Sequence, residues 1–318
     1  MSFTIRDLRD DVADLETFTS IVNEATPDDP TSVDEIRWST AAYPGSSRFI
    51  LESDGRPVGA ASVGRIYVLP PDFDAFWATV NVLPDVRRRG FGSALLATVS
   101  ERARAAGKVA LHVPASDWRP EGIDFLLHRG FREYERNKTV HLELAGLTPP
   151  AVDLPSGVSL TTLAERPDLI DGVHAVAIEA FADIPGGDVP MAVGDLEEFR
   201  KRDVDRPSIP PAAFFIATDD ATGRVVGYAC LLLQPPHRRQ VAWHDMTAVA
   251  RDWRGRGLAG ALKRATIGWA VSAGLDLLEA GNDTDNLAMR AVNARLGYVP
   301  SPDSITMRGD LVGGMMDR

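Results

Sequence analysis

One strand–turn–helix pattern occurs twice in this 318-residue chain, 167 positions apart (254 − 87), and that duplication constrains the fold more than any other feature. The first copy reads VNVLPDVRRRGFGSALLATVSERARAAGK; the second, HDMTAVARDWRGRGLAGALKRATIGWAVSAG, runs from His244 to Gly274. Arg87-x-x-Gly90-x-Gly92 aligns with Arg254-x-x-Gly257-x-Ala259. At the same displacement Gly107 meets Gly274, Gly130 meets Gly297 and Phe131 meets Tyr298. Solenoid repeats recur every 20–50 residues or so, hence a displacement this long means one domain duplicated in tandem. Between the copies, AGLTPPAVDLPSG (Ala145 to Gly157) carries three prolines, two glycines and no apolar periodicity, which reads as a linker. The expected division is residues 1–146, a linker at 147–157, and residues 158–318.

Within the second copy the hydrophobic period switches from 2 to 3.6 just after Gly257. Met246 and Ala248 alternate into the turn, and Leu258, Leu262, Ala265 and Trp269 then recur at helical spacing. The same reading predicts strands near 3–5, 48–51, 58–68, 73–83, 109–113 and 139–144, with helices near 12–24, 32–40, 90–106 and 121–128. The second half repeats the pattern, with strands near 158–161, 213–218, 224–233, 241–249, 277–282 and 305–308. Its helices are expected near 169–181, 196–202, 257–273 and 286–296. Such an order predicts an α/β chain whose mixed sheets carry helices on both faces. The loop-rich stretch 183–211 is expected to border a site, and the tail GGMMDR to be loose.

Each turn leaves backbone N–H groups unpaired at a helix start, and small residues there let a ligand approach the main chain. With the positive helix end and the neighbouring arginines, this makes an anion cradle suited to a pyrophosphate. Neither turn completes G-x-G-x-x-G or G-x-x-x-x-G-K-[ST], so dinucleotide-fold and P-loop readings fail. R-x-x-G-x-A resembles the Q/R-x-x-G-x-G/A signature of the GNAT superfamily of acyl-CoA-dependent N-acetyltransferases. Asn286-x-x-Met289-x-x-x-Asn293-x-x-x-Gly297-Tyr298 is similar to that family's next segment, apart from its tyrosine position, occupied here by Asn293.

The resemblance implies two tandem GNAT-like domains, each a mixed, mostly antiparallel twisted sheet flanked by helices. It implies acetyl-CoA as acyl donor, held in the second half by Ala248, Val249, Arg254, Gly255, Arg256, Gly257, Leu258, Ala259, Asn286 and Asn293. In the first half it implies a second CoA cradle at Val82, Arg87, Arg88, Arg89, Gly90, Phe91, Gly92 and Ser93, so two CoA sites per chain are expected. The acceptor expected is a primary amine of a small molecule.

Acetyl transfer to an amine needs a neutral amine, donors for the oxyanion and a proton for the thiolate. The resemblance implies a backbone N–H at Val249 as oxyanion donor, with Val82 its counterpart. By alternation Trp243, Asp245, Thr247 and Val249 share one strand face; the resemblance implies a base at the level of Trp243 or Asp245, which makes Asp245 the candidate. The 167 shift carries Trp243 and Asp245 to Phe76 and Ala78, neither able to accept a proton, so the first half is expected to be catalytically incomplete. An Asp hydrogen-bonded across the sheet is the plainer reading of Asp245; Glu279 and His244 are the fallbacks. Asn293 cannot readily donate a proton, leaving water as acid, and both asparagines could instead be helix caps. A CoA-binding regulator with little turnover is the competing expectation.

A net charge of −11 argues against a nucleic-acid partner. The lone Cys230 excludes an internal disulfide and sits in an apolar run that suggests a buried structural thiol. The histidines lack metal-ligand spacing, so no metal is expected; His237 with Arg238 reads as an exposed turn. Without a signal-like N-terminus or an apolar run of about 18 residues, no membrane partner is expected, the cytoplasm is the expected location, and a monomer or homodimer the expected state.

Overall fold

The computed structural model describes residues 2–186, 189–235 and 239–313; the tail from 314 and the His237–Arg238 turn lie outside the described residues. The chain forms two compact units, Met1–Arg136 with Ser304–Arg318, and Asn137–Asp303. The first unit runs β1 (Phe3–Asp7), α1 (Val12–Ala25), α2 (Val33–Ala42), β2 (Ser47–Ser53), β3 (Arg56–Arg65), β4 (Ala75–Val82), α3 (Phe91–Ala105), β5 (Ala110–Ser116) and α4 (Pro120–Leu127). Strand β6 (Arg132–Glu143) carries the chain into the second unit. There follow β7 (Val158–Thr162), α5 (Ile170–Ala182), α6 (Leu196–Phe199), β8 (Phe214–Asp219), β9 (Val225–Leu233), β10 (Val241–Val249), α7 (Leu258–Ser272), β11 (Leu277–Asp283), α8 (Leu287–Arg295) and β12 (Val299–Pro300). Strand β13 (Ser304–Asp310) returns to the first unit.

Each unit is a mixed, mostly antiparallel sheet with a single parallel contact, β4 with β5 in one and β10 with β11 in the other. The order is β1-β2-β3-β4-β5-β13 in the first unit and β6-β11-β10-β9-β8-β7 in the second, with β12 also on β6. The linker expectation differs from these units by an exchange of strands. Strand β13, from the second half of the sequence, lies antiparallel to β5, Met307 opposite Val113; the 137–143 part of β6, from the first half, lies antiparallel to β11, Leu142 opposite Leu278. Alternation announces a strand but not its partner, which packing selects. Gly309 is an example: a β-carbon there would lie 2.4 Å from the ring of Phe131, so β13 fits over that buried phenylalanine only with glycine. The 147–157 segment belongs to the second unit, where Leu154 packs beside Leu258 and Leu262.

Two apolar layers sandwich the second sheet. Phe199, Phe214, Ile216, Tyr228 and Cys230 pack on the α5 side, and Ala217, Val226, Ala229, Val249, Leu258 and Leu262 on the α7 side. Helices α1 and α2 start conventionally, with Asp11 and Ser32 accepting from backbone N–H groups of the first turn. Helices α3 and α7 start on Gly90 and Gly257 with no side-chain cap.

Candidate active site

The site begins where two parallel strands part. Strand β10 pairs with β11 only through Val241–Leu277, Ala242–Leu278 and Trp243–Glu279. Beyond Trp243, β10 continues against β9 to Val249, while β11 turns to β6. The Ala250 N–H donates to the Val226 carbonyl on the β9 side (2.9 Å). Antiparallel alternation therefore points the Val249 N–H the other way, into the opening left by β11. The first unit repeats this: β4 and β5 pair only through Ala75–Ala110, Phe76–Leu111 and Trp77–His112, and the Leu83 N–H donates to Val58 (3.0 Å), which turns the Val82 N–H outward.

The turns are built alike. Gly90 and Gly257 take left-handed conformations (φ 89° and 85°), and two residues earlier Arg88 and Gly255 do the same (66° and 74°). Arg254 donates from Nε to the Val249 carbonyl (3.0 Å) and pairs through Nη1 with Asp183 (2.8 Å). Arg87 donates from Nε to the Val82 carbonyl (3.1 Å) and pairs with Glu121 (3.1 Å). Both guanidinium groups, read in the sequence as phosphate ligands, are thus bonded to the turn and its neighbours. Arg251 also holds Asp183 (2.7 Å), and the two arginines keep that carboxyl well below the usual range. What remains for an anion is main chain: the first helical bonds run from Ala94 and Ala261, so the N–H groups of Phe91, Gly92 and Ser93, and of Leu258, Ala259 and Gly260, have no helical partner. Arg256 stacks over Trp253 (4.5 Å) at the same exposed turn.

The two cradles differ in what covers them. A β-carbon on Gly92 would meet the Phe125 ring at 3.1 Å. Arg129 stacks on that ring (3.7 Å) and donates to Ser93 Oγ (2.6 Å), so α4 and the residues after it lie over the start of α3. At Gly255 and Gly257, as at Gly90, a β-carbon would meet no atom within 4 Å.

Strand β10 also differs from β4, by one residue. Its pairing with β9 shifts register between His244 and Thr247, whereas β4 pairs with β3 unbroken from Phe76 to Val82. Trp243 and Trp77 hold the same place beside the parallel strand, 166 positions apart (243 − 77); past the shift the displacement is 167. Asp245 and Met246 together thus stand where the first unit has Thr79. The bulge overturns two sequence readings. Asp245 and Val249 do not share a face, since Asp245 reaches Cys230 on the α5 side while Val249 packs with Leu258 on the α7 side. The counterparts of Trp243 and Asp245 are Trp77 and Thr79, not Phe76 and Ala78. Thr79 shares a hydrogen bond with Ser62 (2.7 Å); in the second unit the Cys230 thiol points at Asp245 Oδ2 (3.9 Å). Bulges of this kind re-aim side chains beside active sites.

Asp245 is exposed, on the side where the turn Arg200–Val204 packs. That turn carries Asp203, a residue that no sequence pattern marked. Burial, then the Asp245 carboxylate, pushes its carboxyl up to about 7, against the opposing pull of Arg202 and Arg206. Tyr228 and Cys230 line the same face; burial holds both far above their ordinary pKa, and the Tyr228 hydroxyl is buried without a partner.

Of the other expected residues, Glu279 accepts from Gln234 (3.4 Å) at the last rung of the parallel pair. Asn286 caps α8 through the Met289 N–H (3.2 Å). Asn293 is buried; its Nδ2 donates to Asn282 at the end of β11 (2.7 Å), and its Oδ1 has no partner. His244 faces α7, deeply buried with both ring nitrogens unpaired, and burial drives its pKa well below the ordinary value. Beside it Lys263 is lowered to about 7 by burial. Among the described residues no group of His, Cys, Asp and Glu could hold a metal ion.

An opening between parallel strands, an outward main-chain donor and an uncapped helix start fit a thioester with a phosphate tail. Two stretches of the chain, residues 10–131 and 179–298, match the acetyltransferase (GNAT) family model. The chain belongs to that family. It is accordingly an N-acetyltransferase with tandem GNAT domains, and members of the family use acetyl-CoA. A mycothiol acetyltransferase of Nocardiopsis dassonvillei is 29% identical over 287 residues, spanning 83% of this chain and 82% of the relative. Another, of Geodermatophilus obscurus, is 28% identical over 235 residues, 73% of each chain. A tandem GNAT protein from the clavulanic acid biosynthesis pathway superposes with a TM-score of 0.77 at 23% identity, over 98% of this chain and 99% of its own. No described helix is long and apolar enough to cross a membrane.

Proposed function

We propose that the second unit transfers the acetyl group of acetyl-CoA to a primary amine of a small molecule. The observation carrying this is the coincidence, on one strand, of an outward Val249 N–H and the Asp245 bulge. The N–H groups of Leu258, Ala259 and Gly260 hold the pyrophosphate of the donor at the positive end of α7, with Arg256 beside them. The thioester carbonyl lies against the Val249 N–H, which strengthens its hydrogen bond as the oxygen gains charge; a donor of this kind is worth about 3–4 kcal/mol in the barrier. Asp245 receives the proton of the acceptor ammonium, directly or through one water. The free amine attacks, the C–N bond forms, the nitrogen gives up its second proton to water, the C–S bond breaks, and the thiolate leaves. With Asn293 at the family's tyrosine position no side-chain acid serves the sulfur, and a thiol pKa of about 8.5 lets water protonate it. The relatives are mycothiol acetyltransferases by name, which supports acetyl transfer.

The replacement of tyrosine by Asn293 favours a second reading, a CoA-binding protein with little turnover. Thiol release from acetyl-CoA against a panel of primary amines decides. Turnover that Asp245→Asn lowers by roughly 10²–10⁴-fold, with acetyl-CoA affinity retained, is expected. Tight CoA binding without thiol release for any amine establishes the second reading instead.

A further inference from the structure

The face of the second sheet that carries Asp245 holds a set of groups, all but Asp245 left unused by the mechanism above. Three come from the sheet: Tyr228 and Cys230 at alternate positions of β9, and Asp245 at the bulge of β10. Tyr228 stacks on Phe214 (5.4 Å between centroids), which fixes its ring, and its buried hydroxyl has no partner. The fourth comes from the 183–211 segment. After α6 the chain widens into one π-helical turn, Arg200–Val204, closed by the Asp205 N–H on the Arg200 carbonyl (2.7 Å). Phe199 and Val204 anchor that turn in the apolar layer shared by Tyr228 and Cys230. Asp203 lies between those anchors, close enough to Asp245 for each carboxylate to oppose the other's charge. Turns of this kind inside helices are frequent at functional sites.

Burial first, and the Asp245 charge second, favour the protonated form of Asp203. The groups that face Asp203 are Asp245, Tyr228 and Cys230 from the sheet, with Arg202 and Arg206 from its own segment. The Arg202 guanidinium is itself held by Glu198 (2.9 Å), which leaves its pull on Asp203 incomplete. An ammonium entering this face meets a carboxylate pair that binds it when ionised and holds its proton when protonated. The unpartnered Tyr228 hydroxyl offers a further hydrogen bond to the pair or to the amine.

We propose that Asp203 is a second catalytic carboxylate, which forms with Asp245 a pair that grips the acceptor ammonium and takes its proton. The inference rests on the acetyltransferase reading above. The step balances: one ammonium N–H bond breaks and its proton passes to the pair; the amine lone pair forms the C–N bond; the C–S bond breaks; the nitrogen gives its second proton to water as the amide forms, water gives one to the thiolate, and the pair returns its own to solvent.

The test has two arms. In protein labelled with ¹³C at aspartate carboxyls, the Asp203 signal should titrate near pH 7 and move down by roughly one pH unit or more in Asp245→Asn. An Asp203 signal titrating in the ordinary range near 4, or one unmoved by Asp245→Asn, overturns the proposal. In the second arm, thiol release by the wild type with its best amine should rise with pH through a limb near 7. Asp203→Asn should lower kcat by roughly 10²-fold or more and remove that limb, with acetyl-CoA affinity and the melting temperature retained. Wild-type kcat and limb in Asp203→Asn overturn the proposal while leaving the acetyltransferase reading intact. No thiol release by the wild type with any amine overturns that reading, and Asp203's role with it.

Discussion

Strands β4 and β10 descend from one pattern and differ by a single residue. In β4 every residue from Phe76 to Val82 has its partner on β3, and the place of the base is taken by Thr79, satisfied by Ser62. In β10 the extra residue breaks the ladder and turns out a carboxylate toward the Arg200–Val204 turn. At the cradles Phe125 and Arg129 lie over Gly92 and Ser93 at the start of α3, while the turn glycines Gly90 and Gly257 both stand clear. Under the core the contrast recurs, for Leu96 in α3 has Lys263 as its counterpart in α7 (263 − 96 = 167). One copy is finished as a packed structure. Both keep an outward main-chain donor, but only the other has an exposed acid and a buried lysine, each of which costs stability and suits a reaction.

That contrast can be broken at each point. Removing Met246 should give β10 the register of β4 and withdraw Asp245 from its place. Thiol-release assays should then show turnover down by roughly 10²-fold or more, since a misplacement of about 1 Å has that effect. Retained turnover would mean that the bulge is incidental. Next in size is donor binding. Calorimetry should find one acetyl-CoA per chain. Gly257→Val forces a β-branched residue into a left-handed conformation, about 1–2 kcal/mol, and should weaken binding roughly 10-fold. Gly90→Val should leave binding unchanged, and two equal sites would erase the distinction between the cradles. The smallest effect concerns stability. Lys263→Leu should raise the melting temperature. The native lysine titrates near 7 and the unfolded one near 10.5, so between those values the unfolded chain binds more protons and wild-type stability rises with pH. The gain from Lys263→Leu should therefore be full at pH 7 and nearly absent at pH 10.5, as measured by melting curves across that range.

Much of this was legible beforehand. The period switch after Gly257 located α7, and the paired R-x-x-G motifs located both turns, because local backbone demands leave local signatures. Three features left none. Alternation through Trp243, Asp245, Thr247 and Val249 looks unbroken in the sequence, yet the ladder with β9 slips between His244 and Thr247. Asp203 sits in KRDVDRPSIPP, where no periodicity singles it out, and becomes notable only beside Asp245. Arg254 read as a phosphate ligand, but its guanidinium closes on the Val249 carbonyl and Asp183.

By itself the sequence determined the duplication, the order of elements and the left-handed turns at Gly90 and Gly257, all of which depend on residues within a few positions of one another. Tertiary structure alone decided that β13 completes the first unit's sheet and β6 the second's, that β10 bulges, and that the Asp245 charge acts on Asp203. Strand pairing and charge proximity are set by which buried surfaces fit, such as Gly309 over Phe131, and that fit joins residues far apart in the chain.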